Sequence, residues 1–167
     1  MKRTLVIAVA VLAIATFAIA QKKPLSPPAK AEGQIAGKSV TIDYSAPSMR
    51  EREIFGGLVP YDTVWRTGAN AATTLMTETD LMIGDLSVPA GTYTIFTIPA
   101  KNEWTLIVSK ETGQWGTRYN DSKDLGRTKM SVESVDEAVE TFVIAIEGDA
   151  LTMTWANTRA SVAVKAK

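Results

Sequence analysis

The sequence predicts an all-β protein, an antiparallel β-sandwich or a related partly open barrel, with little or no helix apart from its N-terminal segment. Three observations predict it. Apolar and polar residues alternate with period two along Val40–Tyr44 and Leu151–Trp155, and large apolar residues recur at the same spacing at Trp104, Leu106, Val108 and at Phe142, Ile144, Ile146. That spacing puts alternate side chains on opposite faces of a sheet, one of them toward a core. The runs are rich in threonine and β-branched residues, which suit a pleated, half-buried surface. Glycine and proline turn signals stand between the runs at the intervals of a hairpin-built protein.

Taken in order, the chain opens with Lys2 and Arg3 and an apolar run from Leu5 to Ala20, broken only by Thr16. The run closes on Ala18-Ile19-Ala20. A basic start, an apolar stretch and a small-x-small end are the layout of a secretory signal, with cleavage predicted after Ala20. The competing reading is an uncleaved N-terminal anchor facing the periplasm, because the run is near the shortest that spans a bilayer. Both readings put the domain in the periplasm or outside the cell, and cleavage leaves no stable membrane insertion. Gln21–Lys30 carries Pro24, Pro27 and Pro28 and reads as an extended leader, since proline neither joins a ladder nor continues a helix. Residues 31–167 then form a single β-sandwich domain.

Within that domain, Ala36-Gly37 separates the first two strands. Gly84-Asp85 has the glycine that a type II′ hairpin needs at its first central position. Val88-Pro89-Ala90-Gly91 fits a type I turn. Pro99–Glu103 is a short polar hairpin, and Gly148-Asp149 joins the last two long strands. Two stretches break the rhythm. In Ser48–Asp62, Gly56-Gly57 and Pro60 exclude a long helix and predict a structured loop. Thr112–Lys129 is a second irregular region. Ser134–Val139 reads as one helical turn or a short connector.

Composition excludes more than it names. The chain has no cysteine and no histidine. Thiol catalysis, Ser–His and Cys–His nucleophiles, and imidazole or thiolate metal sites are therefore absent from its chemistry. No cofactor and no metal is expected. Removing Lys2 and Arg3 from 18 basic residues leaves 16 against 18 acidic ones, a net charge of −2. That balance gives no footprint for nucleic acid.

The stretch Ile54-Phe-Gly-Gly-Leu-Val-Pro-Tyr-Asp-Thr-Val-Trp-Arg-Thr-Gly-Ala-Asn70 is followed by Val88-Pro-Ala-Gly-Thr-Tyr-Thr-Ile-Phe-Thr-Ile-Pro99 and Thr112-Gly-Gln-Trp-Gly116. With Ser26-Pro27-Pro28 and Tyr44-Ser45-Ala46-Pro47-Ser48, the chain resembles the DUF2911 domain family of exported bacterial proteins. The resemblance spans nearly the whole mature chain. It implies secretion and a β-rich single domain, and it supplies no catalytic residues.

The candidate ligand residues are Arg50, Arg66, Asn70, Gln114, Trp115 and Tyr119. Arg66 offers a planar fork for a carboxylate, a phosphate or a sugar hydroxyl, and Asn70 adds a donor and an acceptor. The plainer reading of Trp65-Arg66 is a core tryptophan beside an arginine paired to Asp43 or Asp62. Gln114-Trp115-Gly116 with Tyr119 has the ring and polar groups of a sugar or peptide contact, against a reading in which Trp115 plugs one end of the fold. Arg50-Glu51-Arg52-Glu53 either clamps an anion or compensates itself in solvent. Asn120-Asp121-Ser122-Lys123 has the wrong spacing for a calcium loop and fits Asx turns. The leading expectation is a binding module for a small molecule or glycan of the cell envelope. A carboxylate-dependent hydrolase using Asp43 or Asp62, and a non-catalytic structural envelope protein, are the alternatives.

Overall fold

The computed structural model describes residues 24–167. Residues 1–20, read from the sequence as a secretory signal, and the first leader residues lie outside the described residues. Among the described residues, no helix is long and apolar enough to cross a membrane.

Nine strands follow one another: β1 (Pro28–Ile35), β2 (Lys38–Ser45), β3 (Thr74–Thr77), β4 (Leu81–Ile83), β5 (Leu86–Val88), β6 (Gly91–Ile98), β7 (Glu103–Ser109), β8 (Asp124–Glu147) and β9 (Ala150–Ala166). All neighbours are antiparallel, in the order β1-β2-β3-β6-β7-β8-β9-β4-β5. Among the described residues this is one open nine-stranded sheet, the partly open form of the expected all-β antiparallel fold. Both edge strands come to lie on β8. A β-carbon added at Gly33 of β1 would sit 2.5 Å from Cγ2 of Ile146, and one added at Gly126 of β8 would sit 2.4 Å from Cδ1 of Leu86 in β5. The sheet thus curls around a single core, and the close approaches require glycine.

The length of β8 makes this possible. Its 24 residues would extend roughly 80 Å if straight. Register shifts between Ser134, Val139 and Val143 bend it, and Ala156 of β9, opposite Val139, takes a φ of 51°. Bulges of this kind turn a strand from one part of a sheet to another. Ser134–Val139 is therefore a bulged connector within β8, with no helical turn. The only helical piece among the described residues is the 3₁₀ turn Asp121–Lys123, capped by the Asn120 side chain.

Two other boundaries differ from expectation. β1 begins at Pro28, so the last leader residues are strand. A proline is tolerated there because it is the first residue of an edge strand. The second irregular region ends at Lys123, and Asp124–Lys129 pair with β7. The turns agree more closely. Ala36 and Gly37 have φ of 51° and 74°, the two positive values of a type I′ turn, and Gly84 has 57°.

The core holds Ile42, Leu75, Ile95, Leu106, Met130 and Met153 from the inward faces of the strands, each at most 1% exposed. Aromatic rings crowd part of it. Trp65 stacks on Trp155 at 5.8 Å, while Phe55 meets Trp104 and Phe142 meets Trp65 edge-on at 4.9 and 5.0 Å. Tilted and edge-on contacts suit the ring quadrupoles.

The outer face of β6 and β7 is buried as well. Thr94, Phe96, Ile107 and Ser109 are each 1% exposed or less. The irregular segment 112–123 covers this face: Gln114 donates to the Thr94 hydroxyl at 3.2 Å and Tyr119 packs on Phe96 at 5.0 Å. Trp65 bridges to Thr97, and Ala71 bridges to Trp115. The segment 112–123 thus lies over the outer face, Phe55 and Trp65 of the segment 48–70 pack into the core, and the site lies where the two segments meet.

Candidate functional site

A cleft of about 760 Å³ opens between the loop 48–70, the loop 115–119 and the start of the described chain. That volume is in the range of small-molecule sites, roughly 300–1,000 Å³. Trp65 contributes apolar wall above the buried rings of Phe96 and Trp155, and Arg50, Arg52, Arg66, Asn70 and Tyr119 contribute polar groups.

The loop's backbone is what aims these groups. Arg50, Glu51, Asp62, Thr67 and Asn70 all have positive φ, between 49° and 60°. Such values are uncommon outside glycine and are most costly for a β-branched residue, here Thr67. Buried hydrogen bonds hold Thr67 in place. Its hydroxyl pairs with that of Thr97 at 3.0 Å, and its carbonyl accepts from the Thr73 hydroxyl at 2.7 Å. Gly68 follows at φ 145°, where a β-carbon would lie 2.9 Å from the Ser45 carbonyl. A strained turn locked by its surroundings therefore sits between Arg66 and Asn70.

The three arginines hydrogen-bond to backbone carbonyls. Arg52 donates from Nε to Met49 at 2.8 Å and from Nη2 to Ser48 at 2.7 Å. Arg66 donates from Nε to Gly68 at 3.3 Å. Arg50 donates from Nη2 to the Leu25 carbonyl, and Asn70 donates to the Ser26 carbonyl at 3.4 Å. The leader is thereby tied along one side of the cleft. The expected pairing of Arg66 with Asp43 or Asp62 does not form. Asp43 lies 3.7 Å from Lys30 on the exposed face of β1 and β2, and Asp62 lines a separate depression with Lys101 and Lys129. The Arg50–Glu53 run does not compensate itself either: among the described residues, none of its arginines forms an ion pair.

On the opposite wall, Tyr119 packs edge-on against Phe96 at 5.0 Å and donates to Oδ2 of Asp124 at 2.8 Å. Arg127 donates to the same carboxylate at 2.9–3.0 Å and to the Tyr119 oxygen at 2.8 Å. Burial, and then the hydrogen bond to Asp124, push the Tyr119 hydroxyl above its ordinary pKa of 10.0. It stays a neutral donor and acceptor through the physiological range.

Four of the six sequence candidates, Arg50, Arg66, Asn70 and Tyr119, therefore share one cleft. Gln114 and Trp115 do not line it. The Gln114 amide exchanges hydrogen bonds with the Thr94 hydroxyl, at 3.2 Å where its nitrogen donates. Trp115 is 54% exposed, so it neither plugs the fold nor joins the cleft. Backbone pairing with Ala71 turns its ring outward while Gly116 and Thr117 take the rim. Trp65 packs on Trp155 as the reading of a core tryptophan expects, but sequence reasoning missed its place at the cleft and the tie to Leu25 and Ser26. No spacing in the sequence marks these, because the contacts join residues 25 to 44 positions apart.

The molecule thus defines a class: an all-antiparallel β-protein whose irregular segments enclose an arginine- and aromatic-lined cleft. The chain belongs to the family DUF2911, a family of proteins of unknown function, whose model matches residues 26–164. No curated protein and no solved structure matches it.

Proposed function

We propose that this chain is an exported binding module that takes a saccharide or another component of the cell envelope in the cleft between Arg50, Arg66 and Tyr119. The observation that carries this reading is the pairing of partly exposed rings with convergent polar groups, Trp65 and Tyr119 beside Arg50, Arg66 and Asn70. Rings stack on the apolar face of a sugar, and guanidinium and amide groups orient its hydroxyls. Export rests on the basic, apolar and small-x-small order of residues 1–20. N-terminal sequencing of the mature protein tests it, with Gln21 the expected first residue.

The hydrolase alternative lacks its chemistry in this cleft. A glycosidase needs two carboxyl groups flanking the bond it cuts. Among the described residues, no aspartate or glutamate lines the cleft.

A tryptophan fluorescence titration tests the binding reading. The Trp115→Phe variant removes the exposed indole that lies outside the cleft, leaving Trp65 at the cleft as the reporter above the buried and constant background of Trp104 and Trp155. A saturable shift with at least one envelope glycan is the expected result. A flat response across a broad glycan panel rejects the reading.

A further inference from the structure

We infer that the cleft is built for an anion: its ligand is a saccharide bearing a carboxylate or a phosphate. This inference rests on the saccharide reading above and narrows it.

Three guanidinium groups, those of Arg50, Arg52 and Arg66, line one cleft, and among the described residues no acidic side chain lines it with them. The protein is not basic overall, with 18 Lys and Arg against 18 Asp and Glu in the full chain, so this sorting of charge is local. Ion pairs elsewhere use Lys30, Arg127, Lys129 and Arg159. The cleft arginines spend one or two donors each on the carbonyls of Leu25, Ser48, Met49 and Gly68. A guanidinium has five N–H donors, so each keeps several free. Residues 1–23 contain no Asp or Glu, so that segment supplies no missing carboxylate.

Clustered like charges repel one another, and a bound anion relieves that repulsion. Arginine also matches the flat, two-pronged geometry of carboxylate and phosphate. The directions of the donors agree. Arg50 and Asn70 already place N–H groups on two leader carbonyl oxygens, those of Leu25 and Ser26. Both residues hold left-handed backbone, at φ 49° and 58°, in the strained segment that fixes their aim. The rings of Trp65 and Tyr119 supply the apolar surface that a bare inorganic anion does not use and a sugar ring does.

Isothermal titration of the mature chain tests this with matched probes: a galacturonate trisaccharide against its methyl ester, glucose 6-phosphate against glucose, and inorganic phosphate alone. The expected result is that one acidic member binds roughly tenfold or more tighter than its neutral partner, the usual scale of a charge-assisted contact. The arm that binds identifies the anion as carboxylate or phosphate. Arg50→Gln and Arg66→Gln should each lose roughly tenfold in affinity for that probe. Wild-type affinity should also fall as salt rises from roughly 50 to 500 mM, a readout that no variant's folding affects. If the neutral partners bind as tightly and salt has no effect, the anionic assignment is overturned while the saccharide reading stands. If no saccharide binds, the saccharide reading itself fails. If inorganic phosphate binds as tightly as the sugar phosphate, the saccharide part of the assignment is overturned.

Discussion

Phe142 has no exposed surface and packs against Tyr44, Trp65 and Trp155. Replacing it with alanine removes the centre of the aromatic cluster, so Phe142→Ala should lower unfolding free energy by about 3–5 kcal/mol in urea denaturation. A loss below about 1 kcal/mol would mean that the cluster collapses around the gap. Gly68 makes a sharper case at the site itself. A β-carbon there meets the Ser45 carbonyl at a φ that side chains rarely adopt. Gly68→Ala should cost about 1–3 kcal/mol and disturb both Arg66 and Asn70. At this scale the sequence was informative about residue type and silent about partners. Arg66 and Tyr119 carry chemistry that can be named from their side chains alone. That Arg66 finds no carboxylate, and that Gln114 turns to Thr94, depends on loop paths that no local rule encodes.

The strands and turns were the most legible elements, because period two and turn chemistry act over a few residues. Ala36 shows how far that reading extends. It is exposed and holds φ 51° beside Gly37, in a turn that favours Asn-Gly. Ala36→Asn should therefore raise stability by about 0.5–1 kcal/mol, read as a higher urea midpoint with unchanged slope. A lower midpoint would contradict the type I′ assignment. The bend in β8 was not legible. Ser134–Val139 mixes three polar with three apolar residues and loses its alternation at the point where the strand bulges, and a loss of pattern reads equally as loop or helix. The leader is a further element with a consequence. Removing residues up to Ser26 frees the donors of Arg50 and Asn70 from the Leu25 and Ser26 carbonyls. Starting the chain at Pro27, which keeps the Ala46–Pro27 hydrogen bond, should strengthen binding of an acidic probe; weaker binding would show that the leader is part of the site.

At the scale of the whole molecule, stability should fall on the alkaline side. Tyr119 is held protonated by burial and by Asp124, and Tyr93 by burial and by the charge of Asp80. The folded state therefore keeps these protons to higher pH than the unfolded chain does. Below the ordinary tyrosine value of 10.0 both states are protonated and the contribution is complete. As pH rises from there through the folded-state values, the unfolded chain ionises first and the contribution is lost. Tyr119→Phe should show a shallower alkaline decline than wild type in urea melts taken at stepped pH. An equal decline would place the effect elsewhere. The all-β class was legible from pattern because each strand reports its own periodicity. The strand order was not, since β3 and β6, or β9 and β4, meet across long stretches of chain.

The central claim is that the arginine-lined cleft is where this protein binds its ligand. The most direct measurement is a crystal structure of the mature chain soaked with the acidic saccharide that titration selects. The account predicts ligand density between Arg50 and Arg66, with a sugar face against Trp65. Density at the exposed Trp115 ring, or an empty cleft at saturating ligand, would contradict it.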